Sequence, residues 1–139
     1  MKINELMIGD WVFYPSLSIY IKIAQIKGNT IISELAECSP GMMYDVTPHV
    51  SDIEPIPLTV EILTLNGFEV QEQGGGRQDV WNGFGKDNEN DIDIIFMDGK
   101  VVHTQIDGIG CYFKSCKIRY VHEFQHVLRL CGIDKNIEL

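Results

Sequence analysis

His122-Glu123-Phe124-Gln125-His126 spells H-E-x-x-H. On a helix, two imidazoles four residues apart share a face and can hold one zinc ion. The glutamate between them can then act as general base toward a metal-bound water. A zinc-dependent hydrolase with His122 and His126 as ligands and Glu123 as base is therefore one reading of this chain.

The surrounding sequence argues for a plainer one. A catalytic zinc needs a third protein ligand. Only 13 residues follow His126, and none is a histidine. Asp134 and Glu138 are the acidic groups there, both in what reads as a short tail. His103 and His49 lie upstream with no spacing that marks them as ligands. Arg129 sits three residues beyond His126, on the same helical stripe, where a fixed cation opposes a metal. The favoured expectation is a polar helix face carrying two solvated histidines, with no metal and no cofactor.

The other constellations are weaker. Cys111 and Cys116 precede the two histidines, giving C-x4-C-x5-H-x3-H. A zinc finger needs about twelve residues between its Cys and His pairs, so that the helix can fold back. The two cysteines also differ in parity, so a regular strand sends them to opposite faces. The run 87–93, DNENDID, resembles the start of a calcium loop through Asp87, Glu89 and Asp91. Ile92, however, stands where that loop requires glycine. Gly74-Gly75-Gly76 lacks the following Lys-Ser/Thr and the strand-to-helix context of a phosphate loop, and reads as a hairpin turn. Trp11 and Trp81 read as core or rim aromatics. No Ser/His/Asp or Cys/His set stands out by local spacing.

Composition bounds the rest. The chain has 139 residues, 45% of them hydrophobic and 22% charged, which is ordinary for a globular protein with its own core. It carries 20 acidic and 11 basic residues, a formal net charge of −9. Such a surface repels phosphate backbones, which argues against nucleic-acid binding. The densest basic run, Lys114, Lys117 and Arg119, is short. Residues 1–10 have no apolar leader region, and no run is long enough to span a bilayer. The four cysteines, Cys38, Cys111, Cys116 and Cys131, are accordingly expected to be reduced thiols in a cytoplasm.

The elements that would position these residues follow from period and punctuation. Gly9-Asp10 reads as a turn into a strand. Ile19, Ile21 and Ile23 alternate with Tyr20 and Lys22, a strand of period two. Gly28-Asn29 is a hairpin signal, with residues 30–37 returning. Residues 38–50 read as loop, with Pro40-Gly41 as the main turn. This predicts a small SH3-like barrel over 1–57. Pro55 and Pro57 remove two backbone donors and end it.

Thr59 then reads as the N-cap of a short helix, with Glu61 near its positive end, Leu58 stapling onto Leu63, and Asn66-Gly67 as the stop. Residues 68–120 read as an antiparallel meander with a tight turn at Asp98-Gly99. The closing helix, about 120–131, gathers Val121, Phe124, Val127, Leu128 and Cys131 on one face, and Gly132 stops it. The fold expected is α+β, mainly β. A unit 58–139, made of helix, meander and helix, shares a core with the first.

The two ends of the chain also resemble a known family. MKINELMIGDWV, DIEPIPLTVEILTLNGFEV and YVHEFQHVLRLCGIDKNIEL are similar to segments of small proteins from Bacteroides and related gut bacteria. Their genes often lie among prophage and mobile-element genes. The family implies no activity and no catalytic residues. In it the place of Glu123 is often filled by other residues, including Gln, which implies that a base there is dispensable. The function expected is a non-enzymatic accessory or protein-interaction module, phage or mobile-element derived. A protein partner is implied, and a homo-oligomer is left open.

Overall fold

The computed structural model describes residues 1–82, 91–108, 111–115 and 118–139, and for Glu37, Cys38 and Cys111 the backbone alone. The chain divides into two compact units, Met1–Ile56 and Pro57–Leu139. Strands dominate both, and the α+β, mainly β class holds.

In the first unit the turn at Gly9 needs a left-handed backbone (φ 87°), which glycine adopts without strain. Asp10 closes the turn: its carboxylate accepts the Met7 N–H at 2.7 Å. The chain then enters β1 (Trp11–Tyr14), β2 (Ile19–Lys27) and β3 (Thr30–Ser33), an antiparallel sheet in that order. Gly28, at φ 58°, makes the tight return between β2 and β3. Val12, Ile21, Ile23 and Ile31 are fully buried and pack with Leu6, Val50 and Ile53. The period-two pattern in the sequence is thus the inward face of this sheet.

Two expectations for this unit are revised. Residues 38–50 are not all loop. β4 (Ala36–Ser39) and β5 (Met42–Tyr44) form a separate two-stranded hairpin about Gly41. Its strand Met42-Met43-Tyr44 is exposed along its whole length, so burial imposes no alternation that a sequence could display. The sheets, moreover, are not closed into a barrel, because the three-stranded and two-stranded ladders remain distinct.

The second unit opens with the extended segment at Pro57, which bridges Tyr120, while the Leu58 N–H donates to the Arg119 carbonyl. α1 (Val60–Leu65) begins where the Thr59 hydroxyl accepts the Ile62 N–H at 3.3 Å. Glu61 lies in its first turn. Its own backbone N–H and the Thr59 hydroxyl hold its carboxyl below the ordinary value. Leu58 and Leu63 are both buried. Gly67 (φ 80°) ends the helix.

There follows a five-stranded antiparallel meander: β6 (Glu69–Gly74), β7 (Arg77–Asn82), β8 (Asp91–Met97), β9 (Lys100–Gly108) and β10 (Cys111–Ser115). Asp98 (φ 50°) and Gly99 (φ 73°) form the β8–β9 turn, both left-handed as a two-residue hairpin turn of type I′ requires. Val80, Ile92, Ile94, Phe96 and Ile106 point to one face and are buried.

α2 (Val121–Leu130) closes the unit on that buried face. A Cβ at Gly108 would strike the carbonyl oxygen and Cβ of Cys131, so β9 approaches the helix end as closely as glycine allows. Phe68 meets Phe124 edge to face, with ring centres 6.0 Å apart. The helix ends in a Schellman motif: Gly132 N–H donates to Arg129 O, and Ile133 N–H to Leu128 O.

Residues 134–139 are pinned rather than loose. The Asn66 side chain donates to the Glu138 carbonyl and accepts its N–H, both at 2.8 Å. Ile137, the residue before this pair of hydrogen bonds, is buried. No helix among the described residues is long and apolar enough to cross a membrane.

Candidate functional site

The H-E-x-x-H stripe is helical, as expected, and His122 and His126 have ring centres 5.9 Å apart. Its surroundings differ from the solvated face read from the wheel. His122 is only 5% exposed, and its Nδ1 is shut off from solvent. Its ring stacks almost parallel on Tyr120, at 5.8 Å and 9°. Gln125 is equally buried, while Leu130 is 76% exposed. A wheel records angle but not depth along the axis. The first turns of α2 are embedded nearly all round, whereas the last turn emerges at Arg129 and Leu130.

Glu123 is occupied. Its Oε2 accepts the backbone N–H of Arg119 at 2.7 Å and of Tyr120 at 3.2 Å. As the third residue of the helix it satisfies orphan donors at the helix start and complements the positive end of the helix dipole. This is the role of a capping glutamate, and it directs the carboxylate away from general-base work.

Among the described residues, no three His, Cys, Asp or Glu side chains are grouped to hold a metal ion. His49 is used elsewhere, taking the Ser51 N–H at 3.3 Å in a 3-10 turn. His103 lies on β9. Cys116 and the side chain of Cys111 fall outside the described residues, as do residues 87–90 of the acidic run and Lys117. Asp91 begins β8, and Cys131 is a buried thiol.

A second site comes from the other face of the five-stranded sheet. Odd-numbered residues of β6, β7 and β8 share it, opposite the buried face that meets α2. Trp81 on β7 has Glu69 of β6 across from it on one side and Asp93 of β8 on the other. One step along, Asp79 pairs across with Gln71. Gln71, Asp79, Trp81 and Asp93 line an open recess of about 390 Å³. That is at the small end of ligand-site volumes. Among the described residues, the recess is thus built from cross-strand pairs on β6, β7 and β8.

The electrostatics of this recess are uneven. Asp79 is held side-on by Arg77, with Nε at 2.8 Å and Nη2 at 3.2 Å from its two oxygens. Among the described residues Asp93 has no such forked partner. Its carboxyl is raised above the ordinary value, first by burial and then by the charge of Asp79. His103 and Arg77 pull it part of the way back. Tyr112 on β10, 59% exposed, extends the same face across from Asp107 of β9.

The sequence reading assigned Trp81 to core or rim and did not single out Asp79 or Asp93. The signal was present in the alternation of Arg77, Asp79 and Trp81 and of Asp91 and Asp93. Bringing the two runs together requires the β7–β8 register.

The chain matches no family model, and no curated protein or solved structure matches it.

Proposed function

We propose that this chain is a non-enzymatic interaction module that seats a protein partner on the open face of its five-stranded sheet. The observation that carries this is the indole-and-carboxylate recess at Trp81, built on paired strands and facing away from α2. Aromatic side chains on a rigid surface give large contact area at little entropic cost. The capping role of Glu123 supports a reading without hydrolysis, since the one motif with catalytic spacing is used to start a helix.

The resemblance of the chain's ends to small gut-bacterial proteins supports an accessory role in a phage or mobile element, in the cytoplasm. A protein partner fits the acidic composition better than nucleic acid does.

The test is co-purification from the native host with the full chain and two surface variants. A partner recovered with the wild type and with Glu5→Gln, but lost with Tyr112→Ala, supports the reading. A partner retained equally by all three places the interface elsewhere.

A further inference from the structure

The recess beside Trp81 has a chemistry more specific than a general contact surface, and the inference drawn from it rests on the reading above. In the strand register Trp81 stands between two acidic residues, Glu69 on one side and Asp93 on the other. An electron-rich ring face attracts a cation laid over it, and a flat guanidinium both stacks on the ring and reaches carboxylates with its N–H fork. The sheet already holds one guanidinium by such a fork: Arg77 lies side-on against Asp79. Asp93, directly across from Trp81, has no such fork among the described residues.

Charge on the wider face has the same sign. Among the described residues, Glu69, Asp79, Asp91, Asp93 and Asp107 share it with Arg77, Lys100 and Lys114. We propose that the recess between Trp81 and Asp93 receives an arginine side chain of the protein partner, its guanidinium stacked on the indole and forked onto Asp93. Glu69 stands opposite Trp81 on β6, and Gln71 offers an amide at the recess wall.

The raised carboxyl of Asp93 supports this. A half-buried carboxylate next to another carboxylate costs folding stability, and an incoming cation relieves that cost. A sugar, the other frequent companion of tryptophan and carboxylates, supplies no charge to do so. Lysine supplies the charge but not the planar fork.

The experiment is a titration of the full-length protein followed by the indole N–H resonance of Trp81 and the backbone amides of 79, 81 and 93. The probes are a short capped arginine-containing peptide, its lysine counterpart, its alanine counterpart and a maltooligosaccharide. The arginine peptide should give saturable shifts centred on Trp81. Its affinity should fall at least about tenfold in Asp93→Asn and in Trp81→Ala, and fall again with added salt. Asp107→Asn, on the same face but away from the recess, should stay within about twofold.

Equal loss in Asp107→Asn would reduce the effect to diffuse attraction and overturn the proposal. Equal binding of the lysine peptide, or binding of the sugar at Trp81, would overturn it as well. Failure here separates from failure of the interaction reading. A host partner released by Tyr112→Ala but kept by Asp93→Asn leaves the face as an interface and removes the arginine site. Arginine binding at Trp81 together with a partner indifferent to Tyr112→Ala does the reverse.

Discussion

The carboxylate of Glu123 takes the backbone N–H of Arg119 at 2.7 Å, four residues upstream, and so ties the strand-like entry of α2 to its first turn. This bond separates a capping role from a catalytic one. Glu123→Ala should cost about 1 kcal/mol in urea unfolding, as loss of a helix cap does. Glu123→Gln keeps an acceptor and should cost less. Protein purified without a His-tag should hold far less than one zinc per chain, and chelator should leave its melting temperature unchanged. Stoichiometric zinc lost in both His122→Ala and His126→Ala would restore the hydrolase reading.

The burial order along α2 gives a second expectation. Phe124 is fully buried against Phe68, so Phe124→Ala should cost about 3–5 kcal/mol. His122→Ala, removing a buried and stacked ring, should cost more than His126→Ala at the half-buried position. Urea titrations giving His126 the larger effect would contradict the embedded first turn.

The approach of β9 to the end of α2 is limited by a single hydrogen at Gly108. Gly108→Ala places a methyl group against the Cys131 carbonyl, which must move or be overpacked. The expected cost is about 1–3 kcal/mol. A thermal scan showing no change would mean that strand and helix can part freely there.

Thr104, on the same buried face of β9, is fully inaccessible, and its hydroxyl has no hydrogen-bond partner among the described residues. Thr104→Val keeps the branched shape and removes the unsatisfied group. It should be neutral or stabilising by up to about 1 kcal/mol. A clear loss of stability in chemical denaturation would point to an unseen partner for that hydroxyl.

Asp93 sets a pH dependence of definite sign. Its folded-state pKa lies above its unfolded value, so its ionisation works against the fold. Below the unfolded value both states are protonated and the cost is absent. The cost grows as pH rises through the window between the two values and is complete above the folded one. Asp93→Asn should therefore raise the melting temperature at neutral pH, with the gain vanishing below the ordinary carboxylate range. A gain that persisted at acid pH would have another origin.

Local chemistry made much of this molecule legible. Thr59 and Asn66-Gly67 bound α1, Asp98-Gly99 turns β8 into β9, and Gly132 stops α2, because caps and tight turns are decided by one to four neighbouring residues. The inward faces of β2 and α2 were equally readable, since burial imposes period two on Ile21 and Ile23 and helical period on Val121, Phe124 and Leu128.

What lay outside sequence reach depends on contacts that sequence distance does not encode. The exposed strand Met42–Tyr44 has no burial pattern to show. The depth of His122 is set by how far the first turn of α2 sinks, which a wheel omits. The pairing of Trp81 with Asp93 depends on the β7–β8 register, which joins strands separated by residues 83–90 rather than by a two-residue turn. A shift of one residue there would send Asp93 to the core and Ile94 to the open face. The hydrophobic demand of Ile92, Ile94 and Phe96 for the buried side excludes that shift, and so the tertiary core, not any local motif, sets two carboxylates and an indole on one surface.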